Sequence, residues 1–238
     1  MLLFYIRHGD PIYTPDSLTP LGQRQAEALA KRLALYGMDQ IYASSSERAK
    51  LTAAPTCELL KKEMTVLDWC NEHHTAEEMF HPRADGRRIW CYEIEEMRAL
   101  FNSSDVRALG MQWYTHPAFA DTRFAENMAR VGQETERFMA QLGYVHDRER
   151  CGYIAARPNS QRVALFAHHG FGMSFLSLLL DIPYPIYSTH FDLSHSNMTV
   201  IELPDREGLV FPRVLQHSND SHLYREGLPT KYGNHTYF

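Results

Sequence analysis

Five apolar residues, Leu2 to Ile6, empty directly into Arg7-His8-Gly9. A run this short reads as a buried strand rather than a helix, because it lacks the length that helical turns need. Such a strand delivers its next side chains at one edge of a sheet: a permanent cation, Arg7, and a side chain that titrates near neutrality, His8. Val163 to Ala167 is a second apolar run, and it empties into His168-His169-Gly170. Two imidazoles are therefore expected at one rim of one sheet.

Between these runs the pattern alternates. Thr19 reads as an N-cap with Pro20 in the first helical position. Leu21, Leu29, Leu33 and Tyr36 recur at helical intervals, and Gly37 closes the helix. A short strand follows at Ile41 to Ala43. Ser44-Ser45-Ser46 then caps a helix running to about Leu60, which Pro55 is expected to kink. Val66-Leu67 predicts a third strand. From His73 to Asn159 the alternation lapses, with one convincing helix from about Glu126 to Leu142 on the apolar positions Met128, Val131, Phe138 and Leu142. After the 163–167 strand comes a helix through Phe175, Leu178 and Leu179. Met198 to Leu203 and Leu209 to Leu215 predict two closing strands. Strands alternating with helices predict an α/β fold, a three-layer sandwich with a mainly parallel central sheet. The chain is expected to form one domain over 1–238, with 73–159 as a helical and irregular cap insertion over the sheet's functional edge.

Composition narrows the class. Hydrophobic content of 44% and charged content of 22% are those of an ordinary globular protein. A formal net charge of −5 argues against a nucleic-acid partner, which a basic surplus would favour. The longest later apolar run, Phe175 to Leu180, is far short of a membrane span. The N-terminal run meets Arg7 at once and no cleavage pattern follows it, so a secretory leader is not expected. Cys57, Cys70, Cys91 and Cys151 are widely spaced with no Cys-x-x-Cys pair. That excludes a zinc ribbon and fits reduced, mostly buried thiols in a cytoplasmic protein.

In sheets of this kind ligands sit beyond the carboxyl ends of the strands. That rule gathers the His8 loop, Ser44 to Arg48, Asn71-Glu72 and His168-His169 at one rim. The set is histidines, two arginines and a glutamate, and it does not read as a metal cage. Further on, His190-x-Asp192-x-x-His195 has a spacing that permits a metal, but no third convincing ligand stands nearby. No metal and no cofactor are expected.

These residues carry a resemblance. Arg7-His8-Gly9, followed by Leu18-Thr19-Pro20-Leu21-Gly22-Gln23-Arg24-Gln25-Ala26, resembles the N-terminal signature of the histidine phosphatase (phosphoglycerate mutase-like) superfamily. Ser44 to Ala53 resembles its second block, with the Arg48-Ala49-x-x-Thr52-Ala53 core intact, and Ala167 to Gly170 resembles its late His-Gly block. The blocks stand in the family's order and bracket residues 2 to about 203.

The resemblance implies that His8 is the nucleophile and forms a phosphohistidine. A nucleophilic imidazole must be neutral, and Arg7 and Arg48 would lower its pKa. The same two guanidiniums would grip phosphoryl oxygens, Arg48 from the first turn of its helix, where backbone N–H groups favour anions. His169 matches the second histidine because the family puts glycine directly after it, and it would donate to the developing oxyanion. His168 is then a packed neighbour. Glu72 occupies the place of the family's proton donor, with Asp68, Glu77 and Glu78 as competitors. The stretch after Gly9 departs from the family's commonest pattern: Thr14 stands where an asparagine would and is taken as a phosphate contact. Arg83, Arg87 and Arg88 in the insertion are either a grip for a second anion or a solvated cationic face.

The expected activity is metal-independent hydrolysis of a small phosphomonoester, with no nucleic-acid or membrane partner. The alternatives are a bisphosphate-dependent phosphoglycerate mutase and a non-catalytic phospholigand-binding domain. Nothing in the pattern selects an oligomeric state.

Overall fold

The computed structural model describes residues 1–83 and 85–230. Strand β1 (Leu2–Arg7) alternates its side chains between two cores: Leu3 and Tyr5 on one face, Phe4 and Ile6 on the other. A hairpin of β2 (Pro11–Tyr13) and β3 (Asp16–Leu18) leads to α1 (Pro20–Tyr36), then β4 (Gln40–Ser44), α2 (Glu47–Leu60) and β5 (Met64–Leu67). The middle of the chain runs through α3 (Glu72–Met79), a hairpin of β6 (Phe80–Pro82) and β7 (Arg88–Trp90), α4 (Glu95–Phe101), α5 (Ser104–Ala108), α6 (Phe124–Gln141), β8 (Tyr144–Asp147) and β9 (Gly152–Ala155). It returns to the sheet with β10 (Arg162–Ala167), α7 (His169–Leu179), α8 (Tyr184–His190) and β11 (Met198–Glu202), and ends with β12 (Gly208–Val210), β13 (Arg213–Asn219) and α9 (Ser221–Arg225).

The central sheet has the order β13-β11-β1-β10-β4-β5. Strands β1, β10, β4 and β5 are mutually parallel, while β11 and β13 close one side antiparallel. Leu29 and Leu33 of α1 and Ala53 and Cys57 of α2 cover the face carrying Phe4 and Ile6. Val131 and Phe138 of α6, with Phe175 and Leu176 of α7, cover the face carrying Leu3 and Tyr5. This is the expected three-layer α/β arrangement, and its four parallel strands end at one rim.

Local signals explain the element ends. The Thr19 hydroxyl accepts from the Gly22 N–H (3.0 Å) and Gly37 closes α1 at φ 71°, as capping chemistry requires. Ser46 caps α2, which continues as one element through Pro55.

The structure alters two expectations about elements. The run Leu209 to Leu215 is not one strand: it divides at Phe211-Pro212, where proline fixes φ and lacks an N–H. Its first part pairs with β9 in a small separate sheet, and its second part, β13, joins the central one. The stretch 73–159 holds far more regular structure than its sequence periodicity suggested. Phe101, Trp113 and Phe119 pack with Phe124 and Tyr184 in the same core as Leu165 and Phe175. All four cysteines are free; three are buried and Cys151 is exposed. Among the described residues no helix is long and apolar enough to cross a membrane.

Candidate active site

His8 is the first residue beyond β1, and its backbone N–H still donates to the Ala167 carbonyl (3.0 Å). The turn behind it is very tight. A Cβ on Gly9 would stand 2.7 Å from the Gly22 carbonyl oxygen, and one on Gly22 would stand 2.2 Å from that of Asp10. The glycines of the first two motif stretches thus let the start of α1 rest directly on the histidine loop. The Gly9 N–H donates to Thr52 Oγ1 (3.0 Å), which ties the loop to α2 and accounts for the threonine of the second block.

His8 is 1% exposed, and its Nδ1 lies 2.7 Å from the Gly9 carbonyl oxygen. A carbonyl only accepts, so Nδ1 carries the proton and the lone pair of the neutral ring sits on Nε2. Burial lowers the pKa of His8 well below its ordinary value, and Arg7, His168 and Arg48 lower it further. The ring is therefore neutral across the neutral and mildly acidic range.

Two guanidiniums flank the ring. Arg7, buried at the end of β1, donates to the Leu193 carbonyl (2.6 Å) and to Nε2 of His195. Arg48, in the first turn of α2, donates to Asp16 Oδ1 (2.9 Å) and Glu72 Oε2 (3.1 Å) and lies 5.4 Å from the centre of the Tyr13 ring. Glu72, the first residue of α3, also accepts from the Gly170 N–H at Oε1 (2.8 Å). Burial pushes its pKa up, but His168, Arg48 and that N–H outweigh burial, so the carboxyl is held below its usual range. In the ligand-free site Glu72 is a carboxylate.

The two adjacent histidines take different places. His168, fully buried, lies edge-on to His8 with ring centres 5.2 Å apart. Its Nε2 meets Ser44 Oγ (2.8 Å) and Ser46 Oγ (3.3 Å), while Nδ1 faces the Glu72 carboxylate at 3.8 Å, beyond hydrogen-bond reach. A hydroxyl donating to Nε2 leaves the proton of the neutral ring on Nδ1, the nitrogen that faces Glu72. Burial brings His168 down to a pKa of about 3, with Glu72 opposing that shift. His169 instead accepts from the Tyr92 hydroxyl at Nδ1 (2.9 Å) and donates from Nε2 to Asp192 Oδ1 (2.7 Å).

This corrects the expectation for His169: the imidazole brought against His8 is that of His168. The reason is register. Arg7 pairs with Ala167, so the next residue on each parallel strand, His8 and His168, leaves the sheet side by side. His169 begins α7 and its side chain turns away toward residues 92 and 192. The two strand ends point to His168, while the position of Gly170 points to its neighbour.

Thr14 is likewise not brought to the group. It is exposed in the turn between β2 and β3, and the neighbouring Tyr13 is the residue beneath Arg48. The histidine-rich segment 190–195 divides. His190 Nδ1 lies against the Ile186 carbonyl and the Thr189 hydroxyl, whereas Asp192 meets His169 and His195 meets Arg7. Nitrogens of His8 and His168 and an oxygen of Glu72 lie within 4.8 Å of one another, a donor set that suits zinc. Arg7 and Arg48 beside it disfavour a dication and favour an anion.

Across from the histidines stands an aromatic wall that sequence periodicity did not reveal. A Cβ on Gly170 would stand 2.2 Å from the Trp90 indole, so this glycine is what lets the ring lie against the start of α7. Phe80 packs edge-on to Trp90 (4.8 Å between ring centres) and Tyr92 stacks beside it (5.6 Å).

Residues 3–88 match the model of the histidine phosphatase superfamily (branch 1). Among solved structures the fold is similar to Entamoeba histolytica phosphoserine phosphatase in complex with 3-phosphoglyceric acid. That pair is 18% identical, with a TM-score of 0.59 over 93% of this chain and 98% of the other. It is also similar to a mycobacterial glucosyl-3-phosphoglycerate phosphatase in complex with VO3 (18% identity, TM-score 0.57, 90% of this chain and 97% of that one). The alpha-ribazole phosphatase of Shigella flexneri aligns over 92% of this chain and 97% of its own at 20% identity, with a TM-score of 0.56. Curated protein sequences give no match. The resemblance read from the motif blocks is borne out, and the fold is that of the histidine phosphatase superfamily.

Proposed function

We propose that the chain hydrolyses phosphomonoesters by passing the phosphoryl group through Nε2 of His8. The observation that carries this reading is the Nδ1 contact with the Gly9 carbonyl, which leaves a neutral ring with its lone pair on Nε2 amid two guanidiniums. The phosphatases of similar fold and the superfamily match support hydrolysis.

In the first step the Nε2 lone pair attacks phosphorus and the bond to the ester oxygen breaks. Arg7 and Arg48 hold the equatorial oxygens, and the Nδ1–H of His168 donates to one of them as negative charge builds. Buried His168 Nδ1 has no hydrogen-bond partner among the described residues, which suits a donor awaiting an oxyanion. The departing oxygen takes its proton from Glu72. That carboxyl is ionised in the empty site, so the arriving phosphoryl charge must raise its pKa and let it hold the proton. In the second step water attacks the phosphohistidine, returns a proton to Glu72, and frees phosphate and the His8 ring. His169, joined to Tyr92 and Asp192, then serves the site's outer wall rather than the transfer. Residues 73–159 act as a cap within a single domain, and the four free thiols suit a cytoplasmic setting.

The mutase alternative needs a grip for a second phosphoryl group. Arg83 and Arg87 pair with Asp85, and Arg88 donates to the carbonyls of Glu77 and Phe80, which favours the solvated-face reading of this cationic trio. His8→Ala should abolish hydrolysis of an aryl phosphate in metal-free buffer, a loss of at least about a thousandfold. Retained activity would overturn the mechanism. Phosphate binding by a wild-type protein that never yields a phosphoenzyme would favour the non-catalytic binding domain.

A further inference from the structure

Resting on this hydrolase reading, we infer that the substrate's leaving group is uncharged and presents a flat apolar face, seated between Tyr13 and Trp90. A groove of about 620 Å³ opens beside Arg48 and Glu72, a size that suits a small organic ligand. Tyr13, Phe80 and Trp90 supply its aromatic lining. The Gly170 N–H holds Glu72 Oε1, and Trp90 packs on that same glycine, so the indole borders the point where the ester oxygen would receive its proton. Trp90 is braced by the edge of Phe80 and the stacked ring of Tyr92. Tyr13, also in the lining, is backed by the Arg48 guanidinium.

The charges lining the groove disfavour an anionic leaving group. Asp16, Glu47 and Glu72 contribute carboxylates to the lining. Arg48, which also lines it, is bridged to both Asp16 and Glu72. Lys50, close by, pairs with Glu47. With Glu72 holding its proton in the substrate complex, a carboxylate or second phosphate on the leaving group would still meet Asp16 and Glu47, and Arg48 and Lys50 are already paired with them. A cationic leaving group would meet carboxylates that already have partners, so it gains little. An uncharged flat group gains stacking at no such cost.

Three alkyl esters test this without a large difference in leaving-group chemistry: 2-phenylethyl phosphate, 3-phosphoglycerate and phosphoethanolamine. The expected kcat/KM is about tenfold or more higher for 2-phenylethyl phosphate than for either charged ester. Trp90→Ala should reduce the ratio of kcat/KM for 2-phenylethyl phosphate to that for ethyl phosphate by about tenfold. Tyr13→Ala, on an exposed hairpin, gives the same ratio without disturbing Gly170, and should lower it as well. Preference for a charged ester, or a ratio unchanged in both variants, overturns the inference while leaving the hydrolase reading intact. No hydrolysis of any ester, with no phosphohistidine trapped, overturns both.

Discussion

At the rim of the sheet, His8, Arg48, Glu72 and His168 each stand within two residues of a strand or helix end. Across the groove, Trp90 closes a three-residue strand, Tyr92 lies in a single short turn of helix, and Asp192 and His195 lie in the loop before β11. The first group is anchored by ladder hydrogen bonds and by close glycine contacts. The second is held mainly by ring packing and by the Tyr92–His169–Asp192 chain. Phosphoryl transfer tolerates little misplacement, so its groups belong on regular elements, while leaving-group recognition can vary on loops carried by the same scaffold.

The sharpest test of this division uses the adjacent pair. His168→Ala should lower kcat by about 10²- to 10³-fold, the range seen when an oxyanion donor is removed. His169→Ala should act mainly through KM and cost less than about tenfold. Equal losses, or the reverse order, would break the separation between the two halves. Glu72→Gln comes next. It should slow alkyl phosphates by about a hundredfold but aryl phosphates with acidic leaving groups far less, because those depart without a proton. A uniform loss would make Glu72 a positioning residue and move the proton donor elsewhere.

The two halves also differed in how far they could be read from the chain. His8, Arg48 and Glu72 were legible because each follows a short apolar run whose end marks the rim. The glycine after His169 points to that residue in the sequence, whereas strand register, a property of paired strands and not of one tripeptide, brings His168 to His8. The offset of Thr14 from His8 suggests a phosphate contact, but the β2–β3 hairpin turns it outward and brings Tyr13 to Arg48. Asp192 and His195 were visible as a spaced cluster, yet their place depends on β11 running antiparallel beside β1. That pairing returns the loop to the rim, where the Ser196 N–H donates to the His8 carbonyl (3.0 Å). Trp90 and Tyr92 lie in a stretch without periodicity, and only the tertiary contact with Gly170 reveals them.

A separate effect is expected on stability. His8 and His168 are buried and neutral, each with a pKa below the ordinary 6.5. Below pH 6.5 the unfolded chain binds protons that these rings refuse, so stability falls with falling pH until the folded-state pKa is reached, about 3 for His168. Each ring contributes a slope of about 1.4 kcal/mol per pH unit within its window. Urea midpoints between pH 4 and 7 should show this decline, and His168→Ala should make it shallower. An unchanged slope would mean that His168 is not held neutral by the fold.

The most direct measurement is rapid acid-free quenching of wild-type protein during turnover, followed by peptide mapping of the phosphorylated residue. An acid-labile, base-stable phosphoryl group is expected on His8, formed and lost at rates that support kcat and missing in His8→Ala. A phosphoryl group on any other residue, or turnover with no phosphoenzyme under conditions where chemistry limits the second step, would contradict it.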